Sequence, residues 1–257
     1  LMTGLEELAI IVDDAQRDAR AIPQLTKEHP ELSVSDAYAI QALSVARRTA
    51  RGENRIGVKM GLTSRAKMVQ VGVHEVSWGR LTDAMLLEEG GAMKKSAFVH
   101  PRLEPEIVFL LKKRLSGKVT ALEAMSAVEA IAPAMEVIDS RYENFKFALP
   151  DVVADNTSSS GLVIGAWRSP EIDFSNLGMV LCVNGRTKKI GSSAAILGHP
   201  LRSLVAAARM CAEWGEALEP GHIVMAGGAT AAHPASVGET ISLEVQDLGI
   251  VSITVEA

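Results

Sequence analysis

Two glutamates lie on either side of a proline at the start of an apolar run. Glu104, Pro105 and Glu106 are followed directly by the apolar residues 107–111. Alternate residues of an extended chain point to the same side, and proline favours an extended conformation in the residue before it. The two carboxylates are therefore expected to converge. Such close like charges repel unless a cation lies between them, and a hard divalent ion prefers oxygen ligands. The alternative is a solvated strand end with two exposed glutamates.

A third glutamate, Glu136, lies inside another apolar segment, residues 134–138. A glutamate in such a segment either faces solvent through strand alternation or is buried and needs a partner. Three carboxylates from separate strands would supply half of an octahedral ligand set. Sites for Mg²⁺ or Mn²⁺ commonly leave the remaining positions to water and substrate. Glu104, Glu106 and Glu136 are therefore candidate metal ligands.

Lys59 lies between Val58 and Met60 in an apolar segment. A desolvated amine exchanges protons more readily near neutral pH, so this lysine is a candidate acid–base group. The alternative is a lysine that extends its ammonium group to the surface. Asp83, within residues 81–85, is expected either to pair with this lysine or to be a turn residue.

Two loops contain small or polar residues that could present backbone N–H groups to an anion. Residues 154–161 form a polar run that includes Ser158, and Gly227 and Gly228 follow an apolar segment that ends at Met225. Both loops are equally compatible with plain turns. Phosphate-binding glycine motifs, zinc spacing among the six histidines and the serine-hydrolase motif are absent from the sequence. The chemistry is therefore expected to use a carboxylate-bound metal and acid–base residues.

The composition excludes several classes of protein. The 257 residues include 26 basic and 31 acidic side chains, a balance that indicates neither a nucleic-acid-binding surface nor a surface for anionic membranes. No apolar run approaches the roughly 20 residues of a membrane span, and the first residues do not match a signal peptide. We therefore expect a cytoplasmic protein that binds neither nucleic acid nor membrane.

Hydrophobic periodicity predicts the elements that would position these residues. Apolar residues recur three and four positions apart from Leu5 to Ala19, and Ser33 precedes a second helical pattern that runs to Val45. From Arg55 the pattern changes to short apolar runs separated by turn-forming residues. These runs predict strands at residues 57–60, 107–111, 135–138, 162–164, 179–183, 222–225, 240–245 and 250–255, with a hairpin at Asn184-Gly185.

Three helical patterns interrupt the strands. Thr120 and Glu123 form a capping-box pattern ahead of a helix that is expected to extend through Ala132. Pro200 opens another amphipathic helix. Residues 64–72 form a short helical pattern that ends at a glycine, which makes this segment a candidate lid over the site.

Together these elements predict an α+β fold. Residues 1–54 would form a helical N-terminal cap, and residues 55–257 a mixed, curved sheet or barrel that carries a few helices. The two parts are expected to pack as one unit. All candidate metal ligands fall in strands of the second part, so the sheet is expected to position the site.

Five segments resemble the hydratase and decarboxylase branch of the fumarylacetoacetate hydrolase superfamily. They occur in order along nearly the whole chain. Two glutamates separated by one residue, together with a third glutamate further along the chain, are specific for the superfamily. The segments are Lys59-Met60-Gly61-Leu62-Thr63-Ser64, Pro101-Arg102-Leu103-Glu104-Pro105-Glu106-Ile107, Pro133-Ala134-Met135-Glu136-Val137-Ile138-Asp139-Ser140-Arg141, Val153-Ala154-Asp155-Asn156 and Leu248-Gly249-Ile250-Val251-Ser252. The resemblance implies the mixed, curved sheet or barrel of the superfamily's C-terminal domain.

The resemblance also implies roles for individual residues. A divalent ion, Mg²⁺ or Mn²⁺, would be held by three carboxylates, and no organic cofactor is implied. The metal ligands would be Glu104, Glu106 and Glu136, and the substrate-binding and proton-transfer residues would be Lys59, Asp83 and Ser158.

Two activities share this scaffold in aromatic meta-cleavage catabolism. One is decarboxylation of 2-oxo-3-hexenedioate to 2-hydroxy-2,4-pentadienoate and CO₂, and the other is hydration of 2-hydroxy-2,4-pentadienoate. Residues 139–147 and 197–200 are more similar to the decarboxylases. Thr82 stands where several hydratases carry the first of two adjacent acids. The resemblance therefore implies a metal-dependent carbon–carbon lyase that acts on a small 2-oxo dicarboxylic acid.

Two alternatives remain beside that activity. The first is the hydratase reaction on the same scaffold. The second belongs to a different class: a metal-binding partner subunit of a hydratase complex without turnover of its own. The resemblance further implies a homo-oligomer, a complex with the hydratase of the pathway, or both.

Overall fold

Seven α-helices occur in the described part of the chain, three of them before the first strand. A computed structural model describes residues 4–257, apart from the side chains of residues 70 and 71. Residues 1–3 of the predicted cap, and the expectation about a signal peptide there, lie outside the described residues. The helices are α1 (Gly4–Arg17), α2 (Leu25–Glu28), α3 (Val34–Ala50), α4 (Arg65–Val71), α5 (Ala121–Ser126), α6 (Leu149–Ala154) and α7 (Leu201–Glu213).

The strands form two sheets. They are β1 (Arg55–Gly61), β2 (Ser77–Thr82), β3 (Leu86–Leu87), β4 (Ala92–Lys94), β5 (Arg102–Leu111), β6 (Val128–Ile138), β7 (Ser159–Ile164), β8 (Gly178–Val183), β9 (Arg186–Ser192), β10 (Ile223–Met225), β11 (His233–Pro234), β12 (Thr240–Val245) and β13 (Gly249–Glu256). The larger sheet has the order β2-β1-β10-β5-β6-β7-β3, with β11 also paired to β5, and the smaller has the order β4-β13-β12-β8-β9. Parallel pairs such as β1 with β10 occur beside antiparallel ones. This mixed, curled architecture confirms the predicted α+β fold.

The N-terminal helices pack on the sheet through α3. Ser33 and Asp36 form a reciprocal capping box that fixes the start of this helix. The ring of Tyr38 stacks on the ring of Trp78 in β2, with 5.7 Å between the centroids. The Tyr38 hydroxyl accepts a hydrogen bond from the backbone N–H of Trp78. Gln41 donates to the carbonyl oxygens of Trp78 and Val153. Both predicted N-terminal helices are present, and the division at residue 54 stays a prediction.

One predicted helix is wrong in its extent. The capping box of Thr120 and Glu123 is present, but α5 ends at Ser126, and β6 begins at Val128. Residues of β6 pair with β5 on one side and β7 on the other. The local pattern favoured a continued helix, but two neighbouring strands supply hydrogen-bond partners for an extended backbone. Long-range pairing therefore overrides the local helical signal.

The other predicted elements are largely confirmed. The hairpin at Asn184-Gly185 joins β8 to β9, and α7 begins directly after Pro200. The candidate lid contains α4, whose first turn is capped by the Ser64 side chain. Gly72 ends this helix in the left-handed conformation, with φ of 74°. Among the described residues, no helix is both long and apolar enough to cross a membrane.

Candidate metal centre and active-site cavity

Strand pairing brings the three predicted ligands together. Glu104 of β5 lies directly opposite Glu136 of β6, and Glu106 lies two residues further along β5 on the same face. One carboxylate oxygen from each residue lies within 4.8 Å of the others. The spacing within β5 and the register between β5 and β6 therefore build one cluster, which we call the carboxylate triad.

The carboxylate triad is buried and its charges are not balanced within it. Glu106 and Glu136 are fully buried, and Glu104 is 7% exposed. Burial raises the pKa of Glu106 well above its usual range, and the neighbouring carboxylates raise it further. Burial also raises the pKa of Glu136, although the ammonium group of Lys59 opposes the shift.

The hydrogen bonding of the carboxylate triad is incomplete. Oε2 of Glu106 accepts a hydrogen bond of 2.8 Å from the backbone N–H of Gly227. Oε1 of Glu106 and both carboxylate oxygens of Glu136 have no hydrogen-bond donor. Buried oxygens without donors are costly unless a cation binds them. The donor set therefore fits a hard divalent ion such as Mg²⁺ or Mn²⁺, both of which bind oxygen ligands.

Lys59 lies beside the carboxylate triad. It is in β1, 3% exposed, with its Nζ 3.0 Å from Oε1 of Glu136. The angles of this contact are those of an ion pair and not of a hydrogen bond. Nζ donates a hydrogen bond of 2.8 Å to the carbonyl oxygen of Thr157. The buried amine is thus held in place by one carboxylate and one backbone carbonyl.

A left-handed turn presents that carbonyl. Asn156, Thr157 and Ser158 have φ of 50°, 52° and 60°, values that are uncommon for residues other than glycine. The Asn156 side chain pairs with the backbone of Arg80, and the Thr157 hydroxyl donates to the carbonyl of Trp78. These bonds hold a strained turn at the site, as is typical of positions where function requires one backbone geometry. Ser158, in the same turn, lines the cavity beside Lys59.

Lys67 is a neighbour of the carboxylate triad that the sequence analysis did not single out. It lies in α4, and its Nζ donates a hydrogen bond of 2.6 Å to Oε1 of Glu104. Burial alone would lower the pKa of Lys67, but the Glu104 carboxylate outweighs that effect and raises the pKa. Lys67 could have been predicted from its place in the candidate lid. A lysine in a segment that covers a cluster of carboxylates is a potential partner for one of them.

The glycine loop after β10 closes the site on one side. Gly227 has φ of 116°, a conformation that disfavours any other residue. A Cβ atom at Gly228 would come within 2.8 Å of the Glu104 carboxyl carbon and 2.9 Å of Lys67 Nζ. The paired glycines therefore allow the backbone to approach the carboxylates, which confirms the close approach anticipated for this loop.

Glu104 of the carboxylate triad lines a cavity of about 700 Å³. Lys59, Lys67, Arg102, Ser158 and residues 144–149 also line this cavity. This volume suits a small organic acid. Four cationic side chains line the cavity, so it favours an anionic ligand. They are Lys59, Lys67, Arg102 and Lys146.

Asp83 does not join these residues, which corrects its predicted role. Its carboxylate accepts hydrogen bonds from the backbone and side-chain N–H groups of Asn54, and these hold its pKa below the usual range. Lys59 pairs with Gly79 across the two strands, so Asp83 lies four residues further along, about 13 Å at 3.3 Å per residue. The carboxylate beside Lys59 is Glu136. The sequence pattern around Lys59 and Asp83 does not specify strand register, so it could not show that Glu136 would be the partner of the lysine.

Comparison with known proteins identifies the family. The model for the fumarylacetoacetate (FAA) hydrolase C-terminal family matches residues 66–256. The chain is 55% identical over 250 residues to a 4-oxalocrotonate decarboxylase of Pseudomonas sp, with 97% of each chain covered. It is 35% identical to a 2-hydroxyhexa-2,4-dienoate hydratase of Comamonas testosteroni, with 93% of each covered. The solved structure of 4-oxalocrotonate decarboxylase from Pseudomonas putida G7, complexed with magnesium and adipate, matches with a TM-score of 0.96, 39% identity and 99% coverage of both chains. This protein belongs to the fumarylacetoacetate hydrolase C-terminal family.

Proposed function

We propose that this chain is a metal-dependent lyase that decarboxylates 4-oxalocrotonate, which is 2-oxo-3-hexenedioate. The products are 2-hydroxy-2,4-pentadienoate and CO₂, and the reaction is a step of aromatic meta-cleavage catabolism. The observation that carries the proposal is the buried carboxylate triad beside Lys59 at the base of a cation-lined cavity. The similarity over nearly the full length to 4-oxalocrotonate decarboxylases supports the same activity.

Glu104, Glu106 and Glu136 would hold Mg²⁺, or Mn²⁺ in its place. When bound, the ion supplies Lewis-acid chemistry that draws electron density towards the 2-oxo group of the substrate. Magnesium is the ion in the related decarboxylase of Pseudomonas putida G7. The three side chains of this protein offer oxygen ligands only, as both ions prefer.

The substrate is a vinylogous β-keto acid, so the electron pair of the broken C5–C6 bond can be delocalised onto the 2-oxo group. When the C5–C6 bond breaks, its electron pair forms the C4=C5 double bond and the former C3=C4 pair moves to C2=C3. The 2-oxo oxygen gains the charge and takes up one proton, and the C6 carboxylate leaves as CO₂. The barrier therefore depends on stabilising negative charge at the 2-oxo oxygen.

Lys59 is the residue placed to supply that stabilisation. Its ammonium group has N–H donors for three partners. Two of them face the Thr157 carbonyl oxygen and the Glu136 carboxylate, so the third can donate to the 2-oxo oxygen. Transfer of that proton would give the enol of the product. Ser158 lines the same part of the cavity and would hold the substrate in position.

The test is an assay of the purified protein with Mg²⁺ on two substrates. We expect CO₂ release from 2-oxo-3-hexenedioate and little loss of ultraviolet absorbance from 2-hydroxy-2,4-pentadienoate. Lys59→Met should lower kcat on the order of 10²–10⁴-fold, the usual contribution of a general acid, while the exposed control Lys188→Met retains activity. Both variants should bind Mg²⁺, which a calorimetric titration checks.

Each alternative predicts a different result. Hydration without CO₂ release would replace the proposal by the hydratase reaction on the same site. No turnover of either substrate by the wild type would favour the non-catalytic metal-binding subunit. Unchanged turnover in a folded Lys59→Met variant would contradict the role of Lys59 as the proton donor. We further propose a homo-oligomer, or a complex with the pathway hydratase, in the cytoplasm, which size-exclusion chromatography with and without that hydratase would test.

A further inference from the structure

The four cations of the cavity differ in how their charge is balanced. Lys59 contacts Glu136 and Lys67 contacts Glu104. Arg102 and Lys146 line the same cavity, and neither forms an ion pair with a carboxylate in the part of the chain that the structure describes. Lys146 is exposed, whereas Arg102 is half-buried. A half-buried guanidinium that no protein anion neutralises is suited to bind an anionic ligand group.

Arg102 is held in place by an aromatic side chain. Its Cζ lies 3.9 Å from the centroid of the Phe145 ring, within the range of a cation–π contact. Phe145 and the preceding Asn144 have φ of 55° and 58°. Left-handed backbone at a bulky aromatic residue is unusual and needs support from the surrounding structure. The Phe145 ring is in contact with the rings of Phe147 and His100, which provide that support.

This pair forms a wall of the cavity. Arg102 and Phe145 line the 700 Å³ cavity on one side and a second cavity of about 350 Å³ on the other. The guanidinium therefore lies at a boundary of the 700 Å³ cavity, where a ligand that extends from the carboxylate triad would end.

The spacing of Arg102 and Glu104 along β5 is comparable to the length of a six-carbon chain. The two residues are two positions apart, so their side chains leave the strand on the same face from Cα atoms about 7 Å apart. A six-carbon acid whose first two carbons lie at the carboxylate triad reaches about 6 Å from one terminal carbon to the other. Its far carboxylate would then lie within reach of the guanidinium.

We propose that Arg102, held against Phe145, binds the distal carboxylate of the substrate and so selects dicarboxylic over monocarboxylic 2-oxo acids. The inference rests on the proposed function, because it names the residue that recognises the group lost as CO₂. Arg102 is therefore a specificity-determining residue for the reaction.

This role has a kinetic consequence. The carboxylate loses its negative charge as it becomes CO₂, so its contact with Arg102 is weaker in the transition state than in the bound substrate. An interaction of that kind strengthens substrate binding without accelerating the chemical step. Loss of Arg102 therefore raises KM for 2-oxo-3-hexenedioate and leaves kcat unchanged or higher.

The test compares two ligands that differ only at the far end. 2-Oxoadipate and 2-oxohexanoate share the 2-oxo acid head and six carbons, and neither has the double bond that decarboxylation needs. Their dissociation constants are measured by calorimetry on the Mg²⁺-loaded protein and on Arg102→Gln, Arg102→Lys and the exposed control Arg186→Gln. The Mg²⁺ affinity and melting temperature of each variant are measured alongside.

Wild-type protein should prefer 2-oxoadipate. Arg102→Gln should lose roughly tenfold to hundredfold in affinity for 2-oxoadipate, the range expected for a charge-assisted hydrogen bond, and change less than threefold for 2-oxohexanoate. Arg102→Lys should keep part of the preference, since it retains the charge without the planar fork. The control Arg186→Gln, outside the cavity, should keep all of it.

Three results would overturn the inference. They are a wild type that binds both ligands equally, an Arg102→Gln variant that keeps the preference, and a loss of affinity for both ligands alike. If Arg102→Gln does not fold, Arg102→Lys decides on the same ratio. These outcomes are independent of CO₂ release, so a failure here is distinguishable from a failure of the proposed function.

Discussion

The inner and outer walls of the cavity are built from different kinds of structure. The inner wall consists of the carboxylate triad and Lys59, all on strands of the larger sheet that pair on both sides. The outer wall consists of α4, a helix of seven residues, the loop at residues 143–147, and Arg102, the first residue of β5. Backbone hydrogen bonds to two neighbours fix a strand more tightly than a short helix or a loop is fixed.

The difference assigns separate tasks to the two walls. Metal ligation and proton transfer need atoms placed to within a fraction of an ångström, and the inner wall supplies them. Recognition of a charged group tolerates more variation in position, and the outer wall supplies the cations Lys67 and Arg102. Substitutions in the inner wall should therefore abolish function, and those in the outer wall should adjust it.

The largest effect is expected from Glu106→Gln in the inner wall. It removes one ligand, so the Mg²⁺ affinity should fall by more than about a hundredfold, and CO₂ release should fall with it. Because burial and two neighbouring carboxylates disfavour the charge of Glu106, the metal-free variant should be more stable than the wild type. We expect a gain of about 1 kcal/mol, or about 2–4 °C in melting temperature with a chelator present.

Glu129→Gln is the matched control, since Glu129 is an exposed glutamate of β6. It should change neither Mg²⁺ affinity nor activity. Retained metal binding in Glu106→Gln, or a lower melting temperature than that of the control in chelator, would contradict the assignment of an electrostatically strained metal site.

A smaller effect is expected from Lys67→Met in the outer wall. The ammonium group contacts Oε1 of Glu104 at 2.6 Å and therefore competes with a divalent ion for that oxygen. Its removal should tighten Mg²⁺ binding by roughly three- to fivefold, the effect of one partly exposed ion pair. Calorimetric titration of Mg²⁺ against the variant and against Lys188→Met measures the change, and weaker binding in Lys67→Met would refute the competition.

The smallest effect is expected from Asp83→Asn, outside both walls. Asp83 is hydrogen-bonded to Asn54 and does not line the cavity, so kcat/KM should stay within about twofold of the wild type. Steady-state decarboxylation kinetics provide the measurement. A hundredfold loss with unchanged melting temperature would restore Asp83 to the proton-transfer path and blur the distinction between the two walls.

Much of the inner wall was predictable because it rests on local rules. Strand alternation placed Glu104 and Glu106 on one face, and the apolar segment around Glu136 indicated a buried strand. The resemblance of the same segments to a known superfamily joined the three into a ligand set. Lys59 was recognisable because a lysine in an apolar strand needs a partner. The outer wall was less predictable, since Lys67 and Arg102 act through contacts with residues distant in sequence.

The family, the α+β class, most of the strands and the three carboxylates were predictable from the amino-acid sequence, because each follows from local periodicity or from an ordered set of motifs. The pairings between distant residues became apparent in the folded chain. Strand register made Glu136, and not Asp83, the partner of Lys59, and pairing with β5 and β7 ended the helix at Ser126. The left-handed turn at residues 156–158 likewise depends on bonds to β2. Such contacts join residues far apart in the chain, and no local pattern specifies them.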